Sequence, residues 1–178
     1  MGKKAFGIDI KECMFVGKGK EGSVYLTPDG NVLKIYKNMD RCKSEYKILK
    51  KMESMQYFPK VMACNGRCML REYIEGTSVV EYIQEKGLSR TLALNLIKFA
   101  EDFEQMKIRL DGLSKHVFIQ EDESIKVVDP RKKDCRMYKY LLNTLKRTGK
   151  LDEFLNVLKD EKPDLLLRWH EAVSKIIK

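Results

Sequence analysis

Gly17-Lys18-Gly19-Lys20-Glu21-Gly22-Ser23-Val24 is the stretch on which the fold turns. Three glycines at this spacing let backbone N–H groups approach phosphate oxygens with no side chain in the way. A dinucleotide-binding turn would require a strand before the motif, a helix after it and an acid about twenty residues on. Here Ser-Val-Tyr-Leu follows, which reads as a strand. The context is therefore strand–turn–strand, the setting of a glycine loop laid over nucleotide phosphates. An ordinary flexible hairpin is the competing reading.

Working outward, segments 13–16 and 23–26 flank the loop as strands, and Thr27-Pro28-Asp29-Gly30-Asn31 is turn chemistry. Segment 32–36 follows as a strand of period two, with Val32, Lys34 and Tyr36 on one face. A lysine at the centre of an apolar strand is costly to bury unless paired; on the solvent face of an edge strand it would need no partner. A helix is expected over 40–55, where Ile48, Leu49, Met52 and Met55 recur at helical spacing. Glu45 lies on that same face, and a carboxylate on a core-facing stripe calls for a cation. Lys34 can supply it, and the paired lysine could reach a nucleotide phosphate.

Two strands, 60–64 and 67–73, then surround Asn65-Gly66, a two-residue hairpin signal. Cys64 and Cys68 flank that turn, and no second ligand pair at usable spacing follows, so the hairpin is preferred to a zinc site. The rest reads mostly as helix. A short one spans 77–86 up to Gly87, and a longer one begins after Ser89 with the stripe Leu92, Leu96, Phe99, Phe103 and Met106. A small hairpin, 117–120 with 125–128, precedes three closing helices separated at Gly149 and Pro163. A strand-rich first part of about 75 residues thus precedes a helix-rich second part, an α+β order.

Two aspartates adjoin the small hairpin. Asp111 stands in Arg109-Leu110-Asp111-Gly112, and Asp129 in Val128-Asp129-Pro130-Arg131. One can accept a hydroxyl proton and the other hold a divalent cation; taken singly, each fits an ordinary turn or cap.

In series, glycine loop, strand lysine, helix glutamate and the two aspartates follow the order of the protein-kinase signature set. Over residues 10–135 the chain resembles the protein-kinase-like superfamily, and especially its compact members: the RIO kinases, the KEOPS-complex kinase and lipopolysaccharide-kinase-like proteins. That resemblance implies a minimal two-lobed fold with ATP between an N-lobe, 1–75, and a C-lobe, 76–178. It implies that Gly17, Gly19 and Gly22 cover the phosphates and that Lys34, paired with Glu45, holds them. Residues 71–76 look like the hinge, with the Glu72 carbonyl and Ile74 amide meeting adenine. Val16, Val24, Val32 and Phe118 would sandwich the base. Asp111 would orient the acceptor hydroxyl, Lys115 neutralise the transferred group, and Asp129 bind metal.

The chain also departs from the pattern. Ile108 replaces the family's catalytic-loop histidine, and His116 stands where the metal-binding asparagine is expected. An imidazole there suits Mn²⁺ better than Mg²⁺, while a histidine that only braces the loop is the bland alternative. Asp129-Pro130-Arg131 replaces Asp-Phe-Gly, and proline biases Asp129 away from right-handed helical geometry. Arg71 just before the hinge glutamate is unusual: it would pair with an acid or narrow the pocket.

The implied activity is ATP- and metal-dependent transfer to a Ser or Thr hydroxyl of a protein, including autophosphorylation. Two alternatives stay open: a kinase acting on a sugar, antibiotic or lipid head group, and a nucleotide-binding pseudokinase with a regulatory role. Lysine and arginine exceed acids to give a net +9, and segment 131–150 alone carries +7. That reads as a solvated helix face or as an electrostatic funnel for an acidic acceptor such as RNA, a phosphorylated sugar or an acidic protein. No apolar run spans a bilayer, the N-terminus does not read as a secretory or myristoylation signal, and five scattered cysteines suit a reducing compartment, so a cytoplasmic protein is expected.

Overall fold

The computed structural model describes residues 4–133 and 136–177. The fold is α+β and divides into two units, Met1–Ile74 and Glu75–Lys178. In the first, a two-residue hairpin, β1 (Lys4–Ala5) with β2 (Ile8–Asp9), and a 3₁₀ turn precede a five-stranded antiparallel sheet. Its strands are β3 (Met14–Lys18), β4 (Gly22–Leu26), β5 (Asn31–Tyr36), β6 (Val61–Asn65) and β7 (Cys68–Glu72), in the spatial order β3-β4-β5-β7-β6.

The turn residues set this meander. Asn65-Gly66 joins β6 to β7, with Gly66 at φ +56°, the left-handed region glycine enters without penalty. Helix α1 (Met39–Lys51) lies between β5 and β6 in sequence. Asn38 caps it, its side-chain oxygen accepting from the Asp40 amide at 2.6 Å. Cys42, Glu45, Ile48 and Leu49 are its buried positions. The helix stops at Lys51, four residues short of the expected 55. The apolar spacing runs on, but the chain turns after Met52, and Tyr57 and Phe58 enter the core from the loop instead.

Among its described residues the second unit holds two small sheets and five helices. Strands β8 (Thr77–Ser78), β10 (Val117–Ile119) and β11 (Ile125–Val127) form one sheet, and β9 (Ile108–Arg109) pairs with β12 (Arg131–Lys132) in the other. Helix α2 (Val79–Lys86) begins two residues later than expected because Thr77 and Ser78 pair with β10; Ser78 then caps the helix. Ser89 caps α3 (Arg90–Met106), whose Leu92, Leu96, Phe99 and Phe103 are buried. Helices α4 (Met137–Arg147) and α5 (Leu151–Glu161) pack on α3, α6 (Pro163–Ile177) packs on α4 and α5, and Tyr138 stacks on Trp169 at 4.8 Å between centroids. Pro163 opens α6, where its missing N–H costs nothing.

Among the described residues, no helix is long and apolar enough to cross a membrane. Cys13, Cys42, Cys64 and Cys68 are free thiols; Cys135 lies outside the described residues, as does Asp134.

Candidate functional site

In the first unit the decisive placement is the strand lysine. Lys34 pairs in register with Val24 on one side and Met69 on the other, at the centre of the sheet. Its Nζ lies 3.1 Å from both carboxylate oxygens of Glu45 and 4.6 Å from the centre of the Tyr36 ring. The side chains are 3% and 0% exposed. A charge pair this dry persists only when geometry and further partners offset lost hydration. One further partner is Arg41, one helical turn before Glu45, with Nη2 at 3.3 Å from Oε2. Arg41 Nε also lies 3.7 Å from Glu21 Oε2, inside the glycine loop. Charges thus alternate from Lys34 through Glu45 and Arg41 to Glu21, tying α1 to the loop. Arg41 and Glu21 did not stand out in the sequence, although Arg41 sits at the i,i+4 spacing from Glu45 that brings such pairs together.

The three loop glycines differ in kind. A side-chain Cβ at Gly22 would lie 2.1 Å from the Ile35 carbonyl oxygen, so the sheet itself forbids anything larger. At Gly17 and Gly19 a Cβ would meet nothing of the chain within 4 Å, and neither has positive φ. The Gly19 amide donates to the Gly22 carbonyl at 2.8 Å, and Lys37 Nζ donates to the Lys20 carbonyl at 2.9 Å, which closes the turn.

Val32 is buried beside Lys34, Val24 is half-buried, and Val16, at the β3 irregularity, is exposed. Ile74 is buried. The Glu72 carbonyl accepts a bond from Arg71 Nη1 at 3.1 Å, so the hinge acceptor already has a donor. Arg71 is buried and, among the described residues, pairs with no acid: its contact is that neutral carbonyl.

In the second unit, β9 and β12 put Arg109 directly opposite Arg131. Like charges so placed repel, and Asp111 lies against both. Its Oδ1 accepts from Arg109 Nη2 at 2.6 Å and Nε at 3.2 Å, and its Oδ2 lies 2.7 Å from Arg131 Nε. These bonds, Arg109's above all, hold the Asp111 carboxyl below its usual range despite partial desolvation. Asp111 is therefore an anion clamped on both oxygens. Ile108 is a buried core residue of the same strand, and Lys115 is exposed.

His116 is tied by its backbone to the second aspartate segment: the Val128 amide donates to the His116 carbonyl at 3.0 Å. Asp129 has φ +58°, the left-handed region, rather than the extended backbone that usually precedes proline. For a non-glycine residue that conformation is strained, of order 1–3 kcal/mol. Phe118 pairs with Lys126 across the hairpin and with Ser78 of β8.

Among the described residues no three His, Cys, Asp or Glu side chains gather as a metal site. Cys64 lies 3.6 Å from Cys42 across α1 and β6, and burial pushes the Cys42 thiol up to about 12, a poor thiolate ligand.

The basic segment is partly spent on the unit's own contacts. Arg131 binds Asp111, Lys150 pairs with Glu153 at 2.6 Å, and Lys146 donates to the Ile176 carbonyl. A cavity of about 640 Å³ in this unit is lined by Thr77, Tyr82, Gln120 and Lys126 among others, and by none of the residues expected to act.

No family model and no curated protein matches the chain. Among solved structures it is similar to the streptomycin–ATP–APH(2")-IIa ternary complex, at 18% identity and a TM-score of 0.46. The likeness covers 60% of this chain and 38% of that one, so the chain spans well under two thirds of that structure's length.

Proposed function

We propose that the chain is a compact protein-kinase-like phosphotransferase. It moves the γ-phosphate of a nucleoside triphosphate, ATP on the sequence reading, to a Ser or Thr hydroxyl of a protein, itself included. The observation that carries this reading is the buried Lys34–Glu45 pair beside a glycine loop. Burying such a pair in a small sheet is a poor route to stability, but it presets a lysine to meet a phosphate. Gly17 and Gly19 fit the same purpose: no contact of the chain demands glycine there, whereas phosphate oxygens bound by the loop amides would.

In this proposal Gly17, Gly19 and Gly22 cover the phosphates, Lys34 draws on them, and Glu45 holds Lys34 in place. Val16, Val24, Val32, Ile74 and Phe118 contact the base. His116 and Asp129 would hold a Mg²⁺ or Mn²⁺ ion, which would supply charge neutralisation at the phosphates. Asp111, kept ionised, orients the acceptor hydroxyl more than it removes its proton, because a carboxylate of low pKa is a weak base. Lys115 is placed to meet the transferred group. Positioning and charge neutralisation do most of the catalysis.

Two observations favour other readings of the same fold. Helix α4 begins six residues after Arg131, leaving little chain for a peptide-docking platform, which suits a small-molecule acceptor. The double arginine clamp on Asp111 suits a pseudokinase. Transfer from radiolabelled nucleotide to protein and to small hydroxyl acceptors, with Mg²⁺ and with Mn²⁺, separates the three. Asp111→Ala should abolish transfer while sparing nucleotide binding; a fully active variant would refute its role.

A further inference from the structure

Arg71 shares a face with the site. It pairs in register with Val32 of β5, and Val61 of β6 faces it from the other side. Directly paired residues point to the same face of a sheet, as do residues two apart along a strand. Val24, Val32, Lys34 and Arg71 therefore stand together on one face, with the apolar pair Val24 and Val32 flanked by the two cations.

Arg71 is 5% exposed. A guanidinium so dry ordinarily meets a carboxylate. Here Nη1 donates to the adjacent Glu72 carbonyl, and Nε is buried with no hydrogen-bond partner among the described residues. The Glu72 carboxylate is engaged elsewhere, accepting from the Lys60 amide at 3.0 Å. The fork thus keeps unspent donors on the face where a base would lie.

We infer that Arg71 makes the nucleotide site select a 6-oxopurine, guanine or hypoxanthine, over adenine; this rests on the phosphotransfer reading above. With phosphates at the glycine loop and Lys34, a base lying on Val24 and Val32 has its edge toward Arg71. Arginine offers only donors. Guanine and hypoxanthine present two acceptors on that edge, O6 and N7, whereas adenine presents N7 and an amino donor. The adenine amino group, a donor, would face the N–H groups of a side chain that has no acceptor. A bidentate arginine–guanine pair discriminates between bases by about tenfold to a hundredfold.

Equilibrium titration of the wild-type protein with GTP, ITP and ATP, each with Mg²⁺ or Mn²⁺, tests this without any variant. GTP and ITP should bind alike, each about tenfold or more tighter than ATP, since ITP keeps O6 and N7 and lacks only the 2-amino group. Arg71→Met should lose the preference and still bind ATP. ATP binding as tightly as GTP in the wild type overturns the inference and leaves phosphotransfer standing. A GTP preference that survives Arg71→Met overturns the assignment to Arg71. Binding of none of the three overturns the phosphotransfer reading and this inference with it.

Discussion

Lys34→Met strips a cation from a carboxylate that has no exposed surface. Breaking a buried ion pair from one side costs about 3–5 kcal/mol, because the surviving charge stays buried and loses its partner. Arg41 Nη2 remains 3.3 Å from Glu45 after the change, so the lower figure applies, about 3 kcal/mol. For a chain of this size that lowers Tm by roughly 6–12 °C. Glu45→Met should cost at least as much, since Arg41 also loses a partner. The double variant replaces both charges by apolar groups of similar length and should lose less than the two single losses summed, the remainder reflecting Arg41, which keeps only Glu21. Calorimetric melting of the four proteins reads these values. Single-variant losses that simply add in the double variant would refute the pairing, and with it the reason for placing Lys34 at a phosphate.

The loop glycines give a second contrast. Gly22→Ala drives a methyl into the Ile35 carbonyl and should destabilise by about 3 kcal/mol, while Gly19→Ala meets nothing and should stay within about 0.5 kcal/mol of the wild type yet weaken nucleotide binding; chemical denaturation and nucleotide titration of both variants check this. Asp111, held below the ordinary carboxyl pKa of 3.8 chiefly by Arg109, contributes stability that is present above that value and lost as the pH falls through its lowered folded pKa. Its carboxyl carbon, followed by NMR, should titrate below 3.8 in the wild type and move upward in Arg109→Gln; no upward movement would show that Arg109 does not hold it.

What the sequence discloses tracks how local each signal is. The Lys34–Glu45 pairing is legible because Glu45 falls on a stripe with Ile48 and Leu49, so helical period alone turns it inward. The β6–β7 hairpin is legible from Asn65-Gly66. The β9–β12 pairing is not: two-residue strands have no periodicity, and the opposition of Arg109 and Arg131 depends on chain returning from more than twenty residues away. Asp111 could therefore be singled out, but not its clamp. The β1–β2 hairpin is hidden for the same reason of length. The end of α1 is misjudged because Met55 continues the spacing while Tyr57 and Phe58 fill the core from outside the helix. Arg71 looks odd in sequence, yet its burial follows only from its register against Val32 and Val61.

The central claim is that the loop 17–22 and Lys34 hold a triphosphate, and amide hydrogen exchange reads that directly. Addition of nucleoside triphosphate with Mn²⁺ should slow exchange across the loop 17–22, beyond the Gly19 amide already bonded to Gly22, in the wild type and leave it unchanged in the folded Lys34→Met/Glu45→Met double variant. Slowed exchange confined to other segments, or equal protection in both proteins, would contradict it.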